Sequence, residues 1–457
     1  MPKSLVKELE GWGRYPRSVG NVYRPEKIST LSQILESRNQ SAYIGRGLGR
    51  SYGDAALNSG RGVILTERLN CFLQLDAEHG LVTCEAGVTL QELLQVCLPR
   101  GWFPPVTPGT KFVTLGGAIA CDVHGKNHHQ DGSLSHHVKW IDLLLADGRQ
   151  VRCSRQDDSD LFWATLGGLG LTGIILSAQL QLRRVETSYL CVDYRRTENL
   201  DETLRLLEEE DEGYTYSVAW VDCLASGSSM GRAVLMRGNH CRRDHLDSKL
   251  AREPLLARCQ SSFSLPMELP SFCLNSLAVR GFNSLYYRHF KKGHHRKVEH
   301  YDRFFYPLDA VRHWNRAYGR RGFLQYQCAL PPETARAALL EILGRTSAGG
   351  NGSFLAVLKR FGQETGLISF PMSGYTLALD FPMRGEPILH FLDGLDDLVL
   401  RNRGRVYLGK DARLAAPVFR QMYPRLPEWQ RVKKRVDPEN LFSSDLSRRL
   451  RMGGAPP

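Results

Sequence analysis

Short apolar runs separated by glycine-rich turns characterise the first 190 residues of the chain. Residues 63–65 and 81–84 have the apolar and β-branched content of strands, and residues 138–153, with an Asp-Gly dipeptide inside, predict a hairpin. Thr89 and Glu92 have the spacing of a capping box and precede leucines at helical spacing, so a helix is expected there. Short strands interleaved with short helices predict an α+β domain.

The pattern changes near residue 190, where longer periodic segments begin. Residues 199–212 predict an acidic amphipathic helix, whereas residues 225–285 lack a clear period and are expected to be irregular. Further helices are expected near 332–345 and 386–402, and further strands at 354–361, 375–381 and 406–408. The alternation in these later strands indicates a sheet with one buried face.

The chain of 457 residues is 42% hydrophobic and 24% charged, which is typical of a globular protein with a substantial core. Its formal net charge of +12 favours an anionic partner: nucleic acid, a membrane surface or a phosphorylated substrate. The most basic run, residues 288–297, predicts either a solvated loop or contact with anionic lipid headgroups. Nucleic acid is disfavoured because no recognition-helix or RNP pattern accompanies this run.

Eleven cysteines are spread singly along the chain, without a C-x-x-C pair or zinc-ligand spacing. We therefore expect reduced, mostly buried thiols and no metal site. The N-terminal residues contain no apolar signal segment, and no apolar run is long enough to span a membrane. These features predict a cytoplasmic protein.

The first of two glycine-rich stretches is GRGLGRSYGD, residues 45–54, which follows a predicted strand at 41–44. Four closely spaced glycines expose backbone amides that can cradle phosphate oxygens, and Arg46 and Arg50 add positive charge. The glycine order is not that of a Rossmann fingerprint.

The second stretch is PPVTPGTKFVTLGGAIACDVHGKNHH, residues 104–129. Its adjacent glycines, Gly116 and Gly117, allow a close approach of backbone to ligand, and ionisable residues follow them. A core element would not concentrate so many ionisable groups, because burying unpaired ones is costly. We expect either two separate loops that bind one cofactor or, more simply, a glycine-rich surface loop followed by a solvated turn.

Five motifs in register make the pattern specific: GRGLGRSYGD, PGTKFVTLGGAIACDVHGKNHH, LFWATLGGLGLTGII, WNRAYGRRGFLQYQ and KRVDPENLFSSD. Together they resemble the decaprenylphosphoryl-β-D-ribose 2′-oxidase family, a branch of the vanillyl-alcohol-oxidase-like flavoproteins. The resemblance implies a two-lobed α+β fold. A PCMH-type FAD-binding domain would comprise residues 1–190 and 400–457, and an inserted antiparallel-sheet domain for the substrate would comprise residues 191–399.

The resemblance also implies FAD-dependent oxidation of the ribose 2′-hydroxyl of a polyprenyl-phosphoryl-β-D-ribose to a 2′-keto intermediate. A separate NADH-dependent short-chain reductase would then complete epimerisation to the arabinose form used in the cell envelope. Because the substrate would be a lipid-linked pentose phosphate, the enzyme would be peripheral to the inner membrane, at an anionic surface. It would act from the cytoplasm or, as for some family members, at the periplasmic face.

The cofactor contacts that the resemblance implies come from both glycine-rich stretches and two later positions. In the first stretch they are Gly45, Arg46, Gly47, Leu48, Gly49, Arg50, Ser51, Tyr52, Gly53, Asp54 and Ala55. The others are Gly109, Thr114, Leu115, Gly116, Gly117, Cys121, Asp122, Val123, His124, Ile175 and Tyr407. Related oxidases that tether their flavin have a histidine where this chain has Tyr52, so non-covalent FAD is expected.

Oxidation of a secondary alcohol requires departure of a hydride and removal of the hydroxyl proton. Lys410 matches the family's catalytic lysine in a Y-x-x-K-D context, and a buried lysine can stabilise an alkoxide or act as a base. His124 and Tyr52 are the other catalytic candidates. The substrate candidates are Lys126, Gln325, Gln327, Lys359 and Lys410. The chain has Ala378 where mycobacterial members have a cysteine that faces the pocket.

Two other classes of function remain open at this point. An aldonolactone- or alditol-type flavin oxidase would act on a soluble sugar and need no membrane. A non-catalytic basic protein would bind membranes or nucleic acid and be colourless when pure.

Overall fold

A computed structural model describes residues 3–257, 263–270, 274–290, 293–353 and 355–453. The predicted α+β class is confirmed. The first sheet has the order β1-β2-β4-β3, with β1 antiparallel to β2 and the other pairs parallel. Its strands are β1 (Leu5–Glu10), β2 (Arg17–Tyr23), β3 (Tyr43–Arg46) and β4 (Gly62–Leu65).

The strands that follow in the chain form a five-stranded antiparallel sheet, in the order β5-β6-β10-β8-β9. Its strands are β5 (Phe72–Asp76), β6 (Leu81–Glu85), β8 (Val138–Leu144), β9 (Gln150–Ser154) and β10 (Ile174–Gln181). Strands β8 and β9 form the predicted hairpin. The short strands β7 (Trp102–Phe103) and β11 (Arg183–Arg184) pair with each other.

The largest sheet has eight antiparallel strands in the order β16-β12-β14-β13-β19-β20-β18-β21. Its strands are β12 (Tyr189–Thr197), β13 (Tyr216–Val221), β14 (Ala233–His240), β16 (His294–His300), β18 (Phe323–Leu330), β19 (Val357–Phe361), β20 (Gly374–Pro382) and β21 (Arg405–Val406). Two further strands, β15 (Phe263–Ser264) and β17 (Val311–Arg312), form a parallel pair. The strand expected from 354 begins at Val357, and Phe354 lies outside the described residues.

The helices of the N-terminal half are α1 (Ile28–Glu36), α2 (Leu90–Cys97), α3 (Leu115–Ala120), α4 (His128–Asp131), α5 (Ser159–Thr165) and α6 (Leu200–Glu209). Those that follow are α7 (Ser276–His289), α8 (Tyr301–Phe305), α9 (Pro332–Ala348), α10 (Glu386–Arg401), α11 (Ala416–Met422), α12 (Leu426–Val436) and α13 (Asp445–Arg449). Thr89 caps α2 through the predicted capping box with Glu92. The predictions of α6, α9 and α10 are confirmed.

The C-terminal segment returns to the first sheet. The amide of Tyr43 donates to the carbonyl of Leu441 at 2.7 Å, and the amide of Ser443 donates to the carbonyl of Tyr43 at 2.9 Å. Nearby, Arg449 forms ion pairs with Asp54 and Asp411. Residues near both chain ends therefore pack together around β3. The exact domain boundaries at 190 and 400 stay a prediction.

Three sequence predictions outside the glycine-rich stretches are wrong. Cys191 and Cys241 form a disulfide across β12 and β14, because pairing of these strands brings their Cα atoms within 5.3 Å. The stretch 225–285 is not wholly irregular, since it contains β14 and most of α7; tertiary packing stabilises them without a strong local pattern. Of strand 406–408, only Val406 pairs in a strand.

The basic run 288–297 is not a simple loop, since α7 ends at His289 and β16 begins at His294; Lys291 and Lys292 lie outside the described residues. Across the described part of the chain, no helix is both long enough and apolar enough to cross a bilayer.

Candidate active site

The first glycine loop starts where β3 ends and packs against the N-terminus of α3. A Cβ atom on Gly47 would overlap Oγ1 of Thr114, and Gly49 has a φ of +63°, a left-handed conformation that favours glycine. Thr114 caps α3, its hydroxyl accepting a hydrogen bond from the amide of Gly117 at 3.2 Å. The loop and the helix therefore meet with very little side chain between their backbones.

The adjacent glycines of the second stretch lie in the short helix α3 and not in the predicted loop, whereas most of the rest of the stretch is irregular. Gly116 is required because a Cβ there would lie 2.8 Å from the Cβ of Ala86. Asp122 follows the helix with a φ of +39°, and its buried carboxylate accepts hydrogen bonds from the amide of Ser135 at 2.9 Å and the hydroxyl of Ser369 at 2.5 Å. Burial raises the pKa of Asp122, and these donors partly offset the rise. Asp122 thus anchors the end of α3.

These two elements and the large sheet surround a cavity of about 550 Å³. The predicted residues that line it are Gly45, Arg46, Gly47, Leu48, Gly49, Arg50, Ser51, Tyr52, Ala55, Gly109, Thr114, Gly116, Gly117, Cys121, Val123, His124, Ile175, Gln325, Gln327, Lys359, Tyr407 and Lys410. Ala378 lines it as well. Segments far apart in the chain thus meet at one site.

Five predicted residues lie behind this wall. Gly53 packs on the carbonyl of Asp411, Asp54 pairs with Arg449, and Leu115 is fully buried in the core. The carboxylate of Asp122 accepts the hydrogen bonds from Ser135 and Ser369 described above. The ammonium of Lys126 donates to the carbonyl of Phe304 and lies 4.0 Å from the centroid of that ring. Burial lowers the pKa of Lys126 to about 7. Their functional roles stay predictions.

Two lysines, Lys359 and Lys410, line the cavity, and the segment of Lys410 packs against the end of the glycine loop, where the amide of Tyr52 donates to the carbonyl of Gly409 at 3.2 Å. Burial lowers the pKa of Lys410 from 10.5 to about 8, while the carboxylate of Asp380 acts to raise it. Burial lowers the pKa of Lys359 to about 7, and the positive charge of Lys410 adds to that effect. The ammonium of Lys410 lies 5.3 Å from the ring centroid of Tyr52. An anionic ligand between the lysines would relieve their repulsion, and neutral Lys410 could accept a proton.

Asp380, a fully buried acid beside the cavity, has no counterpart among the sequence predictions. It lies on β20 directly opposite Gln325 of β18, and its carboxylate accepts hydrogen bonds from Gln325 Nε2 at 2.5 Å and from the hydroxyl of Tyr318 at 3.2 Å. Burial raises the pKa of Asp380 to about 6. One signal was available, since a carboxylate inside the apolar run TLALDFP is costly unless it has partners.

His124 is held as a neutral imidazole. Gln327 Nε2 donates to His124 Nε2 at 3.0 Å and to the hydroxyl of Thr376 at 3.0 Å, which leaves the imidazole proton on Nδ1. Burial, with a contribution from Lys359, lowers the pKa of His124 well below its usual range. The centroid of the imidazole ring also lies 4.9 Å from the ring centroid of Phe361. His124 can therefore donate a hydrogen bond without carrying charge.

A segment for which no site residue is predicted completes the lining of the cavity. Its residues that line the cavity are Leu308, Asp309, Val311, Arg312, His313 and Trp314. The carboxylate of Asp309 accepts a hydrogen bond from the amide of Lys111 at 3.0 Å, which ties this segment to the second glycine stretch. Trp12 also lines the cavity, and the guanidinium carbon of Arg50 lies 4.0 Å from its ring centroid.

Comparison with known proteins agrees with this geometry. Residues 20–154 match the model of a family described as an FAD binding domain. The chain is 42% identical over 458 residues to the decaprenylphosphoryl-β-D-ribose oxidase of Mycolicibacterium smegmatis, an alignment that covers 98% of each chain. The chain belongs to the decaprenylphosphoryl-β-D-ribose oxidase family.

More distant relatives share part of the chain. An uncharacterised Streptomyces coelicolor protein is 36% identical over 371 residues, which cover 79% of this chain and all of that protein. The L-gulonolactone oxidase of Mus musculus is 29% identical over 211 residues, which cover 44% of this chain and 47% of that enzyme. The prediction of an FAD-dependent oxidoreductase is confirmed.

The residues of the cavity fit FAD. Four buried polar atoms of its wall lack a hydrogen-bond partner within the described residues: Arg50 Nε, His124 Nδ1, Gln325 Oε1 and Gln327 Oε1. Buried polar atoms of this kind are normally paired, so a bound polar ligand would satisfy them. The glycine loop adds a surface that a Cβ at Gly47 would disrupt. The site thus combines backbone for close approach with unpaired polar groups for binding.

Proposed function

We propose that this protein oxidises the 2′-hydroxyl of a polyprenyl-phosphoryl-β-D-ribose to the 2′-ketone, as the first half of an epimerisation to the arabinose form. The substrate class rests on the family relationship. The observation that carries the chemistry is a pair of half-buried lysines, Lys359 and Lys410, that line the cavity, with the ammonium of Lys410 5.3 Å from the ring centroid of Tyr52.

FAD supplies the acceptor for the hydride when it is bound. The amides of the first glycine loop and of the N-terminal turn of α3 would hold it. Tyr52 replaces the histidine to which related flavins are tethered, so we propose that FAD binds without a covalent bond. The phenol of Tyr52 stays protonated, because burial raises its pKa well above the usual range.

The side chains that line the rest of the cavity would bind the substrate and take up its proton. Lys410, with a pKa of about 8, accepts the proton of the 2′-hydroxyl as the hydride leaves. Lys359 binds the phosphate, and the free Oε1 atoms of Gln325 and Gln327 accept hydrogen bonds from sugar hydroxyls. His124 donates from Nδ1 and orders this wall through Gln327. The negative phosphate raises the pKa of Lys359 on binding, so that lysine is charged in the complex.

The ketone product needs a second enzyme. Reduction of the opposite face of the ketone inverts the carbon, so we propose an NADH-dependent short-chain reductase as the partner. A substrate with a polyprenyl chain resides in a bilayer, and the exposed basic residues of the run 288–297 suit an anionic membrane surface. The disulfide between Cys191 and Cys241 is typical of an oxidising compartment, so we favour the periplasmic face over the cytoplasmic one.

An anaerobic titration tests this function. The purified, FAD-loaded protein is mixed with polyprenyl-phosphoryl-β-D-ribose, and flavin absorbance is followed. Bleaching by this lipid, and not by free ribose, alditols or L-gulonolactone, is the expected result. Bleaching by the soluble sugars alone would leave the flavin site intact but overturn the lipid-linked substrate, in favour of an alditol- or aldonolactone-type oxidase.

A further inference from the structure

Helix α7 presents an unusual outer surface for a protein helix. Its inward face carries Val279, Asn283 and Tyr287, which are buried. Asn283 donates to Asp222 at 2.9 Å, and the hydroxyl of Tyr287 donates to the carbonyl of Thr197 at 3.0 Å. These contacts fix which side of the helix faces away from the protein.

The outward face is apolar and flanked by basic residues. Leu277 is 78% exposed, Leu285 is 73% exposed and Phe282 is 48% exposed. Single exposed leucines are ordinary, but three large apolar side chains on one helix mark an interaction surface. Arg280 and Arg288 are exposed on the same helix, whose sequence contains no acidic residue.

The surface extends along the preceding chain. Phe263 is 64% exposed and Met267 is 67% exposed. The exposed apolar side chains of residues 263–285 thus outnumber those of any other stretch of similar length within the described residues. On the far side, β16 follows the helix and carries exposed His295 and Lys297. These basic residues make the charge beside the apolar face of α7 positive, and the carboxylate of Glu268 in the preceding segment is paired with Arg14 and Arg320.

This surface adjoins the cavity at two points. Phe263 pairs in β-register with Val311, which lines the cavity. Asn283 donates to the carbonyl of Ser353 at 3.5 Å, and Leu355, two residues further along the chain, also lines the cavity. A ligand with a polar head in the cavity and a long apolar tail would leave the protein beside this surface.

We propose that the outward face of α7 and the exposed apolar residues of 263–270 insert into the interface of an anionic lipid bilayer, which the basic flanks recognise. This inference rests on the proposed function and names the surface through which it operates. Apolar side chains buried at the lipid boundary supply the binding free energy, and arginine and lysine add attraction to anionic headgroups. Insertion holds the adjoining wall of the cavity at the membrane, where a polyprenyl-linked sugar is presented.

The test uses the full-length, FAD-loaded protein and sedimentation with vesicles. One set of vesicles contains phosphatidylcholine alone, and the other also contains phosphatidylglycerol. The double variant Leu277→Gln/Leu285→Gln removes the apolar face and keeps good helix formers. Leu5→Gln, at a leucine that is 63% exposed on β1, is the matched control. The double variant should bind anionic vesicles about tenfold more weakly or worse, and the control should bind like wild type.

Two further readouts separate lipid from other occupants. Arg280→Glu/Arg288→Glu should lose the preference for phosphatidylglycerol, and high salt should have the same effect on wild type. The Gln double variant should oxidise a short-chain, water-soluble phosphoryl-ribose analogue at the wild-type rate, but lose activity on long-chain substrate in vesicles.

Equal vesicle binding by the double variant and wild type would overturn the proposal. So would a change from dimer to monomer in the double variant without a change in vesicle binding, since the face would then be a contact between two copies. If no polyprenyl-phosphoryl-ribose reduces the flavin, yet vesicle binding still depends on Leu277 and Leu285, the docking surface stands and the proposed substrate falls.

Discussion

The two walls of the cavity are built in opposite ways. The glycine wall comes from two short, continuous stretches, residues 45–52 and α3, and it offers mainly backbone. The other wall comes from side chains on three neighbouring strands and on the segment after β21. The register between β18 and β20 determines which side chains are neighbours on that wall: Gln325 pairs with Asp380, and Gln327 pairs with Ala378.

This difference shows that the backbone surface depends on local sequence, whereas the side-chain surface depends on strand pairing. A backbone cradle needs only the absence of side chains over a few consecutive residues, so it is local. A constellation of lysines, amides and a carboxylate needs residues on adjacent strands to face the same side, so it is decided by pairing. We therefore expect substitutions on the glycine wall to affect FAD binding, and substitutions on the side-chain wall to affect turnover.

The largest expected effect is that of Lys410→Met. This change removes the proton acceptor from the side-chain wall, so the rate of anaerobic flavin reduction by substrate should fall about 10³-fold or more. FAD content should stay at the wild-type level, because the glycine wall is untouched. Lys139→Met, at an exposed lysine on β8, is the control. A variant that reduces its flavin at the wild-type rate would exclude Lys410 as the base.

A smaller effect is expected from Gly47→Ala. The new methyl group would overlap Oγ1 of Thr114. Overpacking of this kind costs about 1–3 kcal/mol and shifts the backbone of the loop, so FAD affinity should fall about tenfold or more. The measurement is titration of the apoprotein with FAD, followed by flavin fluorescence. Gly213→Ala, where a Cβ meets no neighbouring atom within 4 Å, should bind FAD normally. If Gly47→Ala binds FAD with wild-type affinity, the glycine wall is not the cofactor site.

The smallest effect is expected from Asp380→Asn. The amide keeps the shape of the side chain, but it removes the negative charge that raises the pKa of Lys410. That pKa should fall further below about 8, and since neutral Lys410 is the active form, the pH of half-maximal kcat should move downward. The measurement is a pH profile of kcat, which a purely structural role would not shift. An unchanged pH profile would exclude an effect of the Asp380 charge on the pKa of Lys410.

Local signals explain what sequence reasoning found on the glycine wall. The loop GRGLGRSYGD and the cap at Thr114 are readable because glycine and threonine have distinct backbone preferences. Even so, residues 115–120 of the second stretch form a helix and not the expected loop, because two glycines mask the helical pattern of LGGAIA. Lys359, Lys410 and both glutamines came from the family resemblance, since an isolated lysine after a strand has no distinctive pattern.

The errors elsewhere have one physical origin. Cys191 and Cys241 are separated by 50 residues, and only the pairing of β12 with β14 brings them together. Lys126 belongs to the same polar cluster as His124, yet its side chain turns to the carbonyl of Phe304 and away from the cavity. Contacts between distant segments decide such outcomes, and no local pattern records them.

By itself, the sequence determined the α+β class, the helices α2, α6, α9 and α10, several strands, and the glycine surface for a phosphate-bearing cofactor, because these depend on residues close together in the chain. Only the tertiary structure decided which titratable groups share a cavity and how burial changes their pKa values. Asp380 shows the reason most clearly: its carboxylate is one acid in an apolar strand until strand pairing places Gln325 beside it. Position in the fold, not residue type, brings that carboxylate to Gln325 and lets its charge act on the pKa of Lys410.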